Sequence, residues 1–126
     1  MQFYKKYPFA PAILFFIITV ILLTLPGTSF PKSHLFDIPY FDKWVHIGMF
    51  SILCILFSLP FKNRSISRSQ KVQWIWLITI LGIGFGISME FVQKYWVANR
   101  SFELGDIAAD SIGCILALLF SYNKLI

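Results

Sequence analysis

Charge is scarce in this chain: 13% of its 126 residues are charged, against roughly a quarter in an ordinary soluble domain. Residues classed as apolar make up 57% and aromatics 18%, with a mean hydropathy of +0.71. A soluble core of this length has no room to hide so much apolar surface, which excludes a soluble globular enzyme or binding module. Cysteine is limited to Cys54 and Cys114, too few for a disulfide scaffold. Both lie deep in apolar runs and read as small packing residues; a disulfide between them would need the second and fourth helices to touch at that level. The motifs that announce common chemistries are missing too: there is no CxxC, HExxH, P-loop or GxSxG. The stretch Gly82-Ile83-Gly84-Phe85-Gly86 lacks the GxGxxG spacing and a preceding strand, so it is no dinucleotide loop.

What the chain does hold is four long apolar runs. They predict helices over 9–25, 43–60, 72–93 and 106–122, each near the short end of what a membrane crossing requires. The first run resembles a signal peptide in following Lys5 and Lys6. It ends Leu25-Pro26-Gly27-Thr28 without a small-residue cleavage site, so it is expected to be retained as a helix. Pro8 and Pro11 suit the first turn of such a helix. The expected fold is all-α, a single four-transmembrane-helix bundle over residues 1–126.

Charge is sorted along this pattern. Lys5, Lys6, Lys62, Arg64, Arg68, Lys71 and Lys124 fall at one set of helix ends, with no acid among them. All six acids, Asp37, Asp42, Glu90, Glu103, Asp106 and Asp110, fall at the other set, with Lys32, Lys43, Lys94 and Arg100. The positive-inside rule then predicts both termini cytoplasmic and an acidic outer face. The net charge of +5 is mostly this topological signal. No basic stripe is interleaved with stacking aromatics in a polar segment, so nucleic acid is not an expected partner. The bilayer is, and the basic loop suits anionic lipid. Trp44, Trp74, Trp76 and Trp96 sit near span ends, as interface anchors do. Ser65 to Ser69 reads as a short polar turn with no motif.

The polar residues of the acidic side form pairs. Asp42 and His46 are four apart, Glu90 and Gln93 three apart, and Asp106 and Asp110 four apart, so each pair shares a helix face. Charged side chains near hydrocarbon are costly unless they find partners or water. Asp42, Lys43, His46, Glu90, Gln93, Arg100, Asp106 and Asp110 are therefore expected to turn together into a polar pocket at the outer boundary. Each has a plainer reading. Asp42 and Asp106 stand where N-caps belong, His46 is placed to bond Asp42, and Arg100 to neutralise a carboxylate. Glu90 and Asp110, set within apolar surroundings, are harder to explain by structure alone. Small residues at four-residue spacing, Gly82 and Gly86 and then Ala109, Gly113 and Ala117, predict close packing of the third helix on the fourth. That packing would bring Glu90 to Asp110.

Taken in order, Asp42-Lys43-x-x-His46, Glu90-x-x-Gln93, Arg100, Asp106 and the small-residue helix with Gly113 resemble the VanZ-like family of small bacterial membrane proteins. The resemblance runs from about Phe36 to Phe120, and the family commonly has Asn where this chain has Asp110. It implies a multi-pass protein of a bacterial plasma membrane and cell envelope, with a link in some members to resistance against the glycopeptide teicoplanin. It implies no reaction.

Three functions are compatible with these residues. In the first, the pocket binds a lipid headgroup, a lipid-linked wall precursor or a partner, with Arg100 and Lys43 meeting phosphate. In the second, the protein is a membrane enzyme acting on a lipid-linked phosphate or glycan. No catalytic residue is assigned, but Asp42, His46, Glu90 and Asp106 are candidate ligands for a divalent metal, with His46 an alternative general base. Asp110 is a further oxygen donor for such an ion. In the third, the polar groups only satisfy one another in a structural bundle. No cofactor beyond that metal is expected, and the sequence leaves the oligomeric state open.

Overall fold

The computed structural model describes residues 5–25, 41–98 and 102–126. Among these the protein is all-α, without strands. Helix α1 runs Ala10–Thr24, α2 Phe41–Ser58, α3 Arg68–Trp96 and α4 Leu104–Lys124, with a 3-10 turn at Leu59–Asn63 closing α2. Each apolar run forms one helix. Three of them, α2 with its turn, α3 and α4, are long and apolar enough to cross a membrane. Helix α1 has 15 residues, a rise of about 22 Å against a hydrocarbon core of about 30 Å. It is the shorter apolar helix of the set.

The helix ends have local causes. Pro11 occupies the first turn of α1, as its spacing predicts. Leu25 leaves that helix in an extended conformation (φ −66°, ψ 141°), the backbone preferred before a proline such as Pro26. Pro60 cannot continue the α2 ladder, and the chain tightens into its 3-10 turn. Helix α3 begins earlier than its apolar run because Ser67 and Gln70 form a capping box. The Ser67 hydroxyl accepts from the Gln70 N–H at 3.2 Å, and the Gln70 side chain accepts from the Ser67 N–H at 3.1 Å. The expected motif-free polar turn is thus a helix start. The 29 residues of α3 rise about 43 Å, more than the hydrocarbon core requires.

The core is made chiefly by α4 packing along α2, with α3 against both. Phe50, Cys54, Met89, Cys114 and Ala117 are buried there, with Leu23 of α1. The expected α3–α4 contact exists, but its division of labour is different. Gly113 faces α2 rather than α3: a Cβ built there would lie 2.5 Å from the Ile47 carbonyl oxygen and 3.1 Å from the Ser51 nitrogen. Ser51 donates to the Gly113 carbonyl at 3.0 Å. Gly82 and Gly86 are the α3 residues that admit α4, the first lying against the sulfurs of Cys54 and Cys114 and the second against Asp110. Ala109 and Ala117 are both buried. The two thiols meet, Sγ to Sγ, at 3.5 Å.

Outside this core the bundle is greasy. Ile13, Leu14, Ile17 and Ile21 of α1, Ile80 and Leu81 of α3, and Leu116 and Leu119 of α4 are all exposed. Apolar surface of that extent, with backbone groups satisfied inside helices, suits lipid rather than water.

Candidate functional site

The antiparallel order of α2, α3 and α4 gathers the start of α2, the end of α3 and the start of α4 at one end of the bundle. Asp42, Lys43, His46, Glu90, Gln93, Asp106 and Asp110 all lie there. Arg100 falls outside the described residues. The expected convergence of three helices' polar residues is observed, in a form the sequence pairs did not anticipate.

Its rim is organised by Lys43. The ammonium donates to Asp42 at 2.7 Å, to Asp106 at 2.6 Å and to Glu103. Gly105 lets the lysine stem pass, since a Cβ there would lie 2.9 Å from Lys43 Cε. With three carboxylates on one ammonium, Lys43, expected to meet phosphate, is engaged within the protein. Asp106 is not an N-cap either. It is the third residue of α4, whose N-cap position is Glu103, without a side-chain cap bond. Asp42 likewise lies inside α2, in its first turn.

Beneath the rim is a buried trio. His46 Nδ1 is hydrogen-bonded to Asp110 Oδ1 at 2.7 Å, across 64 residues of sequence, and its Nε2 lies 3.9 Å from Asp106 Oδ2. The expected His46–Asp42 pairing within one helix is replaced by this bond between helices. Glu90, 1% exposed, accepts from the Glu103 N–H at 3.1 Å. One ligand atom each from His46, Glu90 and Asp110 lies within 4.8 Å of the others, and all three residues are buried. A second, more exposed group of this kind is Asp42, Glu103 and Asp106. The candidate metal set read from sequence is therefore split. Asp42 and Asp106 belong to the rim, and Asp110 completes the buried group with His46 and Glu90.

Gln93 has a different task from the one expected. Its amide donates to the Leu23 carbonyl at 2.9 Å, tying the last turn of α1 to α3. Glu103, absent from the expected set, bridges rim and interior by taking Lys43 on its side chain and giving its N–H to Glu90. Its signal in the sequence was its place among the acids, three residues before Asp106.

An imidazole with two carboxylates is a donor set for a divalent cation of borderline or hard character. The described cluster has five carboxyl groups, on Asp42, Glu90, Glu103, Asp106 and Asp110, facing one ammonium and one imidazole. Its electrostatics favour a cation over a phosphate.

No family model matches the chain, and no solved structure matches it. An uncharacterized protein of the fission yeast Schizosaccharomyces pombe is 36% identical over 89 residues, covering 69% of this chain. The chain spans about half the length of that relative, 51%. These findings overturn the expected VanZ-like membership: the similarity found is to a eukaryotic protein of no assigned function. The bacterial membrane and the glycopeptide connection fall with it.

Proposed function

We propose that this protein is an integral membrane bundle of four spans that binds a divalent cation at its acidic end. In this reading α1 is the fourth span, reaching across with flanking residues, and both termini face the cytoplasm. The charge sorting supports that orientation, because the acid-free helix ends carry Lys5, Lys6, Lys62, Arg64, Arg68, Lys71 and Lys124. The observation that carries the binding site is the convergence of His46, Glu90 and Asp110, buried, from three different helices. Two carboxylates held out of water beside one imidazole are costly unless a proton or a further cation joins them. A divalent ion supplies that charge and locks three helices together. Lipid phosphate at the same boundary would then be reached through the ion rather than through Lys43.

The test is metal content and stability of the detergent-purified protein. After chelation, adding Mn²⁺ or Zn²⁺ at about 100 times Kd should raise the melting temperature by about 10 °C, with one ion bound per chain. Asp110→Asn and His46→Ala should abolish the rise, and Asp42→Asn on the rim should keep it. A chelated protein that melts the same with and without every divalent ion refutes the site.

A second reading, a membrane enzyme, is favoured by one observation. Asp110 fixes the His46 ring through Nδ1 and leaves Nε2 as a base. Release of phosphate from an isoprenyl diphosphate that persists after chelation and is abolished in His46→Ala would establish it. Metal binding without that turnover leaves the binding protein.

A further inference from the structure

The opposite end of the bundle carries a feature the acidic cluster does not explain. Between α1, α2 and α3 lies an apolar cavity of about 180 Å³, lined by Phe16, Leu53, Cys54, Phe57, Gly82 and Phe85 among others. A second cavity, of about 390 Å³, shares Phe57, Ile78 and Leu81 with the first and continues to Phe61, Trp74 and Arg64. The shared side chains set the two cavities end to end along α3, as the two parts of a groove.

Its two limits are made of rings. At the inner limit Phe85 packs against Phe16, with centroids 4.9 Å apart, and against Phe50 at 5.7 Å. At the outer limit Phe61 stacks on Trp74 at 5.1 Å, and Phe9 meets Phe61 edge-on at 5.8 Å. The Arg64 guanidinium lies over Phe9, 6.0 Å from its centroid, and so stands at the mouth. Every other side chain around the two cavities is apolar. Leu77 and Leu81 line the groove while remaining exposed, so it opens sideways toward the bilayer.

Length decides what fits. From Trp74 to Phe85 along α3 the rise is about 16 Å, half of a hydrocarbon core of about 30 Å. The groove therefore runs the depth of one leaflet, which is the reach of one acyl chain. Charge decides the headgroup. Arg64 marks the mouth, and Lys62, Arg68 and Lys71 are its neighbours in sequence, with no acid in this loop.

We propose that this groove is a binding site for one anionic phospholipid, its acyl chain along α3 from Trp74 to Phe85 and its phosphate at Arg64. The site is separate from the cation cluster: it uses none of the same residues and has its mouth at the other end of the bundle. Arg64 provides a fork of donors matched to phosphate oxygens, and the aromatic layer holds it at headgroup depth. The basic side of a membrane protein faces the leaflet in which anionic lipid is enriched.

The experiment is native mass spectrometry of the full chain, exchanged from detergent into mixtures of phosphatidylglycerol and phosphatidylcholine with identical acyl chains. The wild type should retain one phosphatidylglycerol in preference to phosphatidylcholine. Arg64→Gln should lower that preference about fivefold, the effect of one basic group at a lipid surface, while still retaining lipid. Ile78→Trp, which fills the groove where the two cavities join, should lose retention of both lipids. Melting temperatures in lipid-free detergent show that the variants are folded. Equal retention of the two lipids by the wild type, or an Arg64→Gln protein with undiminished preference, overturns the proposal. So does undiminished retention by a folded Ile78→Trp protein.

Discussion

Replacing Gly113 by alanine should separate the two helices that build the core. A Cβ at this position would lie 2.5 Å from the Ile47 carbonyl oxygen, 3.1 Å from Phe50 Cβ and 3.1 Å from the Ser51 nitrogen. Two of these atoms are backbone, so no rotamer change relieves the clash; α2 and α4 must move apart. Overpacking of this kind costs about 1–3 kcal/mol, and backbone neighbours put it at the upper end. The hydrogen bond from Ser51 to the Gly113 carbonyl stretches as well, adding about 1 kcal/mol. Alanine's better helix propensity returns about 1 kcal/mol. The net loss is about 2–3 kcal/mol, or about 10 °C in melting temperature for a chain of this size. Gly48→Ala is the matched control. It lies on α2, with nothing within 4 Å of a Cβ, so only the propensity gain applies and the protein should be unchanged or slightly stabilised. Thermal unfolding of both variants in the same detergent decides the matter. If Gly113→Ala melts with or above Gly48→Ala, the close packing of α2 on α4 is wrong.

The same interface predicts a cross-link: Cys54 and Cys114 are buried and free with their sulfurs 3.5 Å apart. A membrane-permeant thiol oxidant should therefore join them within one chain. The product should migrate faster on a non-reducing gel and be missing from Cys54→Ser; no shift in the wild type would place the helices elsewhere. Gln93→Leu should cut the tie to α1, leaving the Leu23 carbonyl without its donor. The expected loss is about 1 kcal/mol, read as faster hydrogen exchange in the last turn of α1 while α3 stays protected; equal exchange in both proteins would show that the tie does not hold α1.

The four helices were legible because apolar runs of that length have few alternatives. The start of α3 was not, because Ser67 and Gln70 sit in a stretch with no apolar periodicity; only the Ser-x-x-Gln spacing marks the cap. Within the site, the gathering of polar residues followed from antiparallel order alone. Their pairing did not, since spacing along one helix puts His46 beside Asp42, whereas the bond that forms is to Asp110 on a helix 64 residues away. Lys43 shows the same limit. Its sequence suggests a free cation, and only the arrival of Glu103 and Asp106 from the α4 side shows its ammonium to be fully occupied. The mistaken family resemblance has a related cause. Acids, a histidine and a glutamine at helix ends occupy positions that any antiparallel bundle with one polar end will fill, so their order reports topology more than ancestry.

The bond between His46 and Asp110 also bears on how the chain is made. Insertion delivers α2 and α3 first, placing His46 and Glu90 near hydrocarbon before Asp110 reaches the membrane. Release of that hairpin into lipid on its own would strand both groups, so α4 completes the cluster as the last of its three helices to arrive. With a polar linker long enough to span the ribosomal exit tunnel added after either end point, a chain cut before Leu104 should stay in contact with the insertion machinery, and one that includes Lys124 should leave it. Release of α2 and α3 into lipid would then wait on α4.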